Sequence, residues 1–235
     1  MFKIKLKDII LFEDNDFIAV NKPAFLATLE DRTSEINLLK LVRQNFPEAS
    51  VGHRLDKETS GVLVVAKHTE SYKHIAQQFE NREVTKIYHA VLDGRYDYQE
   101  KIVDVPIEKL SDGTVKIARS GKPSETIFQT LRLFKKHTLV EANPITGRMH
   151  QIRIHLKFLK SPISGDTLYG GHTVFLSNII SGYKTSKNAE EEPFIKRFAL
   201  HAFKISFKSM IGDLIEVEAP YPKDFKALLN QLGKA

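Results

Sequence analysis

His53-Arg54-Leu55-Asp56-Lys57-Glu58-Thr59-Ser60-Gly61, followed at once by Val62-Leu63-Val64-Val65-Ala66, sets one carboxylate just ahead of an unbroken apolar run. Such a run reads as a buried strand, and Thr59-Ser60-Gly61 before it reads as a tight loop. Asp56 then stands on a loop fixed by a rigid strand, where reactive groups tend to be held. An aspartate in a loop equally caps a turn through nearby backbone N–H groups, or pairs with Arg54 or Lys57 at the surface. The rest of the chain decides between them.

Upstream, Ile9 to Pro23 reads as strand, turn, strand, with Glu13-Asp14-Asn15-Asp16 supplying the turn chemistry. Met1 to Lys7 alternates apolar and basic residues, as a strand or an ordered arm does. Leu38, Leu39, Val42 and Phe46 have helical spacing closed by Pro47. Downstream, Thr69 to Asn81 reads as a helix with Tyr72, Ile75, Ala76 and Phe79 on one face and Thr69 as its N-cap. Val84 to Leu92 reads as a strand that places Lys86 and Tyr88 on one face.

Gly94 to Pro123 is rich in turns, with short candidate strands at 102–107 and 114–119, and a strand pair follows at 127–134 and 138–142. Ile152, Ile154, Leu156 and Phe158 alternate as in a strand, while the lack of breakers up to Lys160 also permits a helix. His172 to Pro193 is the least structured stretch and ends in a solvated loop over 187–193. Phe198 to Phe207 and Leu214 to Ala219 form a closing strand pair, and Pro222 to Leu232 a short amphipathic helix. Strands and helices mix without strict βαβ alternation, which predicts an α+β fold. With no repeat and no linker, residues 1–235 read as a single domain.

The 235 residues, 42% of them hydrophobic, suffice for one substantial core. With no cysteine, disulfides, thiolate zinc sites and cysteine nucleophiles are excluded. No apolar run approaches the roughly 18 residues of a membrane span, and the N-terminus lacks a signal-peptide core. The expectation is a soluble, cytoplasmic protein. A net charge of +6, from 35 Lys and Arg against 29 Asp and Glu, fits a polyanionic partner. Arg148, His150, Arg153, His155, Lys157 and Lys160 form a local basic patch with no acid among them. His150 and His155 lack a third ligand at suitable spacing, so no metal site is expected.

Six further segments accompany Asp56: Asn21-Lys22-Pro23, Lys86-Ile87-Tyr88, Thr146 to Leu156 (which contains Gly147-Arg148-Met149-His150-Gln151-Ile152-Arg153), Pro162 to Asp166, Leu168-Tyr169-Gly170 and Leu200-His201-Ala202. In order and spacing they resemble the RluA-type pseudouridine synthase family, from about Ile10 to about Pro222. That resemblance implies a mixed, mainly antiparallel central sheet with flanking helices and a basic cleft. It also implies isomerisation of selected uridines in structured ribosomal or transfer RNA, with no cofactor and no metal. Asp56 matches the catalytic carboxylate, an anion that can stabilise an electron-poor C1′, attack it, or remove the 2′ proton. Sequence leaves those three open.

By the same resemblance, Arg153 is the arginine paired with that aspartate and Tyr88 the phenol that packs on uracil and relays a proton. A surface phosphate contact or a structural salt bridge for Arg153, and a half-buried strand tyrosine for Tyr88, are the plainer alternatives. Arg54 matches a residue that fills the gap left by an extruded base, Arg148 a phosphate contact, and Leu200 a residue that packs on the target base. Lys86 meets RNA phosphate or is solvated. His53 is expected to brace the loop by hydrogen bonding. The family's usual glycine is replaced in Lys22-Pro23-Ala24-Phe25. The upstream RNA-binding domain of many relatives is expected to be absent, so target choice is expected to rest on the catalytic domain, with a monomer as the default. The rivals are a non-catalytic RNA-binding or assembly factor on the same fold, and a metal-independent hydrolase using Asp56 and His53.

Overall fold

The apolar run is a strand, but it begins at Ser60, two residues before the hydrophobic stretch does. The turn lies upstream of the expected loop, over Asp56 to Thr59, where the Thr59 N–H donates to the Asp56 carbonyl at 3.0 Å. The computed structural model describes residues 4–30, 36–180, 182–183 and 190–234. The chain divides into two units, residues 1–87 with 201–220 and residues 88–200 with 221–235.

In the first unit, β1 (Ile10–Glu13) and β2 (Phe17–Lys22) form the expected hairpin. Asp14 holds its turn, with Oδ1 accepting from the amides of Asp16 at 2.8 Å and Phe17 at 2.6 Å. Helix α1 (Leu38–Arg43) is capped by Asn37, whose Oδ1 accepts from the Lys40 amide at 2.8 Å. Strand β3 (Ser50–Val51) precedes β4 (Ser60–Ala66), all seven residues of which are buried. One edge of β4 carries β2, antiparallel, from Gly61 to Ala66. The other carries β3 at its end and, at its start, the parallel β11 (Leu200–Lys208). A strand paired on both edges and covered on both faces has no solvent side, so its sequence does not alternate.

Helix α2 (Thr69–Glu80) is capped by His68, not by Thr69: the His68 Nδ1 accepts from the Ser71 amide, and the Ser71 hydroxyl accepts from the His68 amide, both at 3.3 Å. Residues Leu6–Asp8 form a 3₁₀ turn where a strand or an ordered arm was expected, and Met1 to Lys3 lie outside the described residues.

The second unit is built on β5 (Thr85–Asp93), β6 (Lys101–Asp104), β9 (Glu125–Leu133) and β10 (His137–Pro144), antiparallel in the order β5-β10-β9-β6. The turn-rich stretch supplies a separate hairpin, β7 (Ile107–Lys109) with β8 (Val115–Ile117). The ambiguous segment is helix α3 (Gln151–Phe158), buried continuously from Gln151 to Leu156. Helix α4 (Leu176–Ile179) interrupts the stretch expected to be irregular, and Lys187 to Ala189 lie outside the described residues. The chain closes with β12 (Leu214–Glu218), antiparallel on β11 in the first unit, and with helix α5 (Lys223–Leu232), which buries Phe225, Leu228 and Leu232. Mainly antiparallel strands with few helices make the fold α+β, as predicted.

His155, fully buried on α3, is neutral by construction. Its Nε2–H donates to the Val105 carbonyl at 3.3 Å, and its Nδ1 faces the Thr126 hydroxyl at 2.9 Å. Burial holds its pKa at about 4, below the ordinary 6.5. Between those values the unfolded chain binds a proton that the folded chain refuses, so stability is full above pH 6.5 and falls as pH drops towards 4. The loss is on the order of 3 kcal/mol. Urea unfolding from pH 7 to 4 should show this slope, reduced in His155→Gln; equal slopes would contradict it.

Candidate active site

In the first unit, the backbone on either side of Asp56 is pinned. The Thr28 hydroxyl donates to the Leu55 carbonyl at 3.0 Å and accepts from the Leu55 amide at 3.2 Å. After Asp56, the Lys57 carbonyl accepts from the Phe25 amide at 2.8 Å and from the Lys22 ammonium at 3.2 Å. Lys22 is fully buried, and its ammonium also donates to the carbonyls of Leu26 at 2.8 Å and Pro23 at 3.1 Å. A buried cation is tolerable when its donors are met, and here they tie two loops together. Sequence reading gives Lys22 no role, because burial of a lysine leaves no local signature.

His53 braces the same loop, as expected. Its Nε2 accepts from the Val64 amide at 3.2 Å, and its ring lies 4.7 Å from that of Phe79. Withdrawal from water, and secondarily the charge of Lys86, push its pKa down to about 3. A neutral ring whose lone pair already holds a backbone N–H is a poor general base, which disfavours the hydrolase reading. Lys86 is itself lowered to about 8 by withdrawal from water. Asp56 is partly exposed and Arg54 exposed.

Strand β11 anchors the loop's far end. Ser60 faces His201, their Oγ and Nδ1 2.9 Å apart, and the His201 Nε2–H donates to the Ala219 carbonyl at 3.0 Å. Gly61, at φ +117°, lies so close to β11 that an added Cβ would fall 2.1 Å from the Ala202 carbonyl oxygen.

In the second unit, Tyr88 sits on β5 opposite Ala142 of β10, partly buried against the core. Arg153 projects from α3, only 6% exposed. Its Nε and Nη2 donate to the two oxygens of buried Asp166 at 2.7 and 2.8 Å. Its guanidinium also lies 4.2 Å from the Phe198 ring centre and 4.8 Å from that of Tyr169. The sequence does not announce Asp166 as this partner. Its only signal is an aspartate following Ser164-Gly165 in a tight turn.

Helix α3 starts where it does because Gln151 is fully used. Its Oε1 accepts from the Thr146 hydroxyl at 2.7 Å and the Arg148 amide at 2.9 Å. Its Nε2 donates to the Glu125 carbonyl at 2.8 Å and the Thr126 hydroxyl at 2.9 Å. This clamp carries the loop that presents Arg148, which is exposed, with Nε donating to the Pro123 carbonyl at 3.2 Å.

The basic patch is therefore smaller than its sequence. Arg153 and His155 point inward, and His150 is engaged with the Tyr169 hydroxyl at 2.8 Å, which leaves Arg148, Lys157 and Lys160 exposed. Leu200 is buried in the core. Among the described residues no three His, Asp or Glu side chains gather as a metal would require, and no helix is long and apolar enough to cross a membrane.

Known proteins are similar to this chain in sequence and in fold. The sequence profile described as RNA pseudouridylate synthase matches residues 16–158. Ribosomal large subunit pseudouridine synthase C of Vibrio cholerae is 32% identical over 98% of this chain and 71% of its own length. Synthase D of Vibrio parahaemolyticus is 33% identical over 96% of this chain and 70% of its own. Among solved structures, human RNA pseudouridylate synthase domain containing 1 superposes with a TM-score of 0.71 at 28% identity, covering 94% of this chain and 87% of that one. Motif, profile, sequence identity and fold agree: the chain belongs to the RluA-type family of RNA pseudouridine synthases.

Proposed function

We propose that this protein converts uridine to pseudouridine in large-subunit ribosomal RNA, with Asp56 as the catalytic carboxylate and residues 1–235 working as one catalytic domain, monomeric and cytoplasmic. The observation that carries the assignment of Asp56 is the pinning of the backbone on both sides of it. Such a loop presents a side chain in a fixed direction, which positioning of a reacting sugar requires. The names of the similar proteins point to ribosomal RNA, and the net charge of +6 supports a polyanionic partner.

In this reading the N1–C1′ bond breaks, uracil turns, and a C5–C1′ bond forms; C5 loses a proton and N1 gains one. No redox step or external group is needed. The Asp56 carboxylate meets the electron-poor C1′ side of the reaction, as a stabilising anion, a nucleophile or a base at the 2′ position. Tyr88 packs on the base and relays a proton. Arg153, aimed and charge-balanced by Asp166, orients polar groups through hydrogen bonds. Arg54 holds the gap left by the extruded base, and Arg148 and Lys86 meet phosphate.

Pseudouridine mapping of an unmodified large-subunit transcript incubated with the protein should show conversion at one or a few uridines. Retention of that RNA with no conversion at any site would instead identify a binding or assembly factor. Tyr88→Phe keeps the ring and removes the exchangeable proton, so the single-turnover rate should fall by roughly 10²-fold or more. An unchanged rate would make Tyr88 a packing residue.

A further inference from the structure

Phe25 stands at a backbone position that suits glycine, with φ 67° in the left-handed region. Bulky residues rarely settle there, and when they do the surrounding structure holds them. The hold is visible here. The Phe25 amide donates to the Lys57 carbonyl, and Lys22 clamps the carbonyls of Pro23 and Leu26 on either side. Leu26 and Ala27, which follow, are buried. Yet Phe25 as a whole is 54% exposed. The strained backbone therefore leaves more than half of this large apolar residue in water, one hydrogen bond away from the loop that carries Asp56.

Resting on the functional reading above, we propose that Phe25 is a stacking platform for an RNA base beside the target uridine, a contact that this chain has and a glycine in its place would lack. An aromatic ring on a pinned backbone offers a π-face at little ordering cost, and every base can stack on it. Exposed Arg54 lies on the same loop as Asp56, and a guanidinium near a stacked base favours the same partner. A second protein copy would also cover an exposed ring, but a chain of net charge +6 beside a candidate RNA site favours the nucleotide.

The test measures affinity in an Asp56→Asn background, so that turnover plays no part, using a 12-nucleotide oligouridylate and a large-subunit ribosomal RNA transcript as probes. Phe25→Gly, which fits the backbone, should weaken Kd for both by about tenfold and should melt no lower than its parent. Phe25→Trp should bind within about twofold of the parent. Unchanged affinity in Phe25→Gly, or no recovery in Phe25→Trp, overturns the proposal. A sedimentation change in Phe25→Gly at constant Kd also overturns it, in favour of self-association. If the parent chain binds neither RNA, the functional reading itself fails, and the stacking role falls with it.

Discussion

Asp56→Asn should stop uridine conversion almost completely while leaving the fold and RNA affinity close to those of the native protein. The substitution keeps the size of the side chain and removes its negative charge. The loop should survive, because it is held by backbone groups: the Leu55 amide and carbonyl bond Thr28, and the Lys57 carbonyl bonds Lys22 and the Phe25 amide. Stability should change by about 1 kcal/mol or less. Activity should not survive, whichever of the three roles the carboxylate plays. An amide neither attacks C1′, nor removes a 2′ proton, nor offers a full charge to an electron-poor carbon. The single-turnover rate should fall by at least about 10³-fold. Pseudouridine mapping, a gel-shift titration and a thermal melt on the same preparation read the three quantities. A mutant converting its RNA within tenfold of the native rate would remove Asp56 from the chemistry.

Gly61→Ala should destabilise the fold severely, although it adds a single methyl group. The atoms a Cβ would meet are backbone: the Ala202 oxygen at 2.1 Å, its nitrogen at 2.6 Å and its carbonyl carbon at 2.7 Å. Backbone in a paired strand cannot swing aside as a side chain does, and φ is +117° besides. To admit the methyl, β4 and β11 must part where Ser60 faces His201 and Gly61 faces Ala202. The expected cost is about 3–5 kcal/mol, combining left-handed strain with overpacking. For a chain of this length that is a fall in Tm of roughly 10 °C. Gly113→Ala is the control. Its φ of +84° is also left-handed, but no atom lies within 4 Å of the added carbon. It should cost only about 1 kcal/mol. Equal effects in the two variants would show that strain alone matters and that the β4–β11 approach does not.

Some elements were legible because their signals are local. The uniform aliphatic run of β4 announced a buried strand, Asp14 a turn, and the spacing of Phe225, Leu228 and Leu232 an amphipathic helix. Others misled for reasons that are equally physical. An imidazole caps α2 with the same acceptor geometry as a hydroxyl, but His is not among the residues that usually signal a cap. Helix α3 is buried on most of its circumference, so its apolar residues carry no clear 3.6-residue period. A row of six basic residues read as a surface patch because sequence does not show which of them turn inward.

The candidate site divides in the same way. The amino-acid sequence by itself determined the reaction class, through motifs whose order and spacing persist along the chain, and it singled out Asp56, Tyr88 and Arg153. Only tertiary structure decided what holds them. Lys22 reaches a carbonyl 35 residues away, Ser60 meets a histidine 141 residues away, and Arg153 is forked on Asp166. A local pattern reports which face a side chain takes on its own element, because that depends on the backbone period. Which distant partner it meets there depends on how the strands are ordered and registered, and that information exists only once the chain has closed on itself.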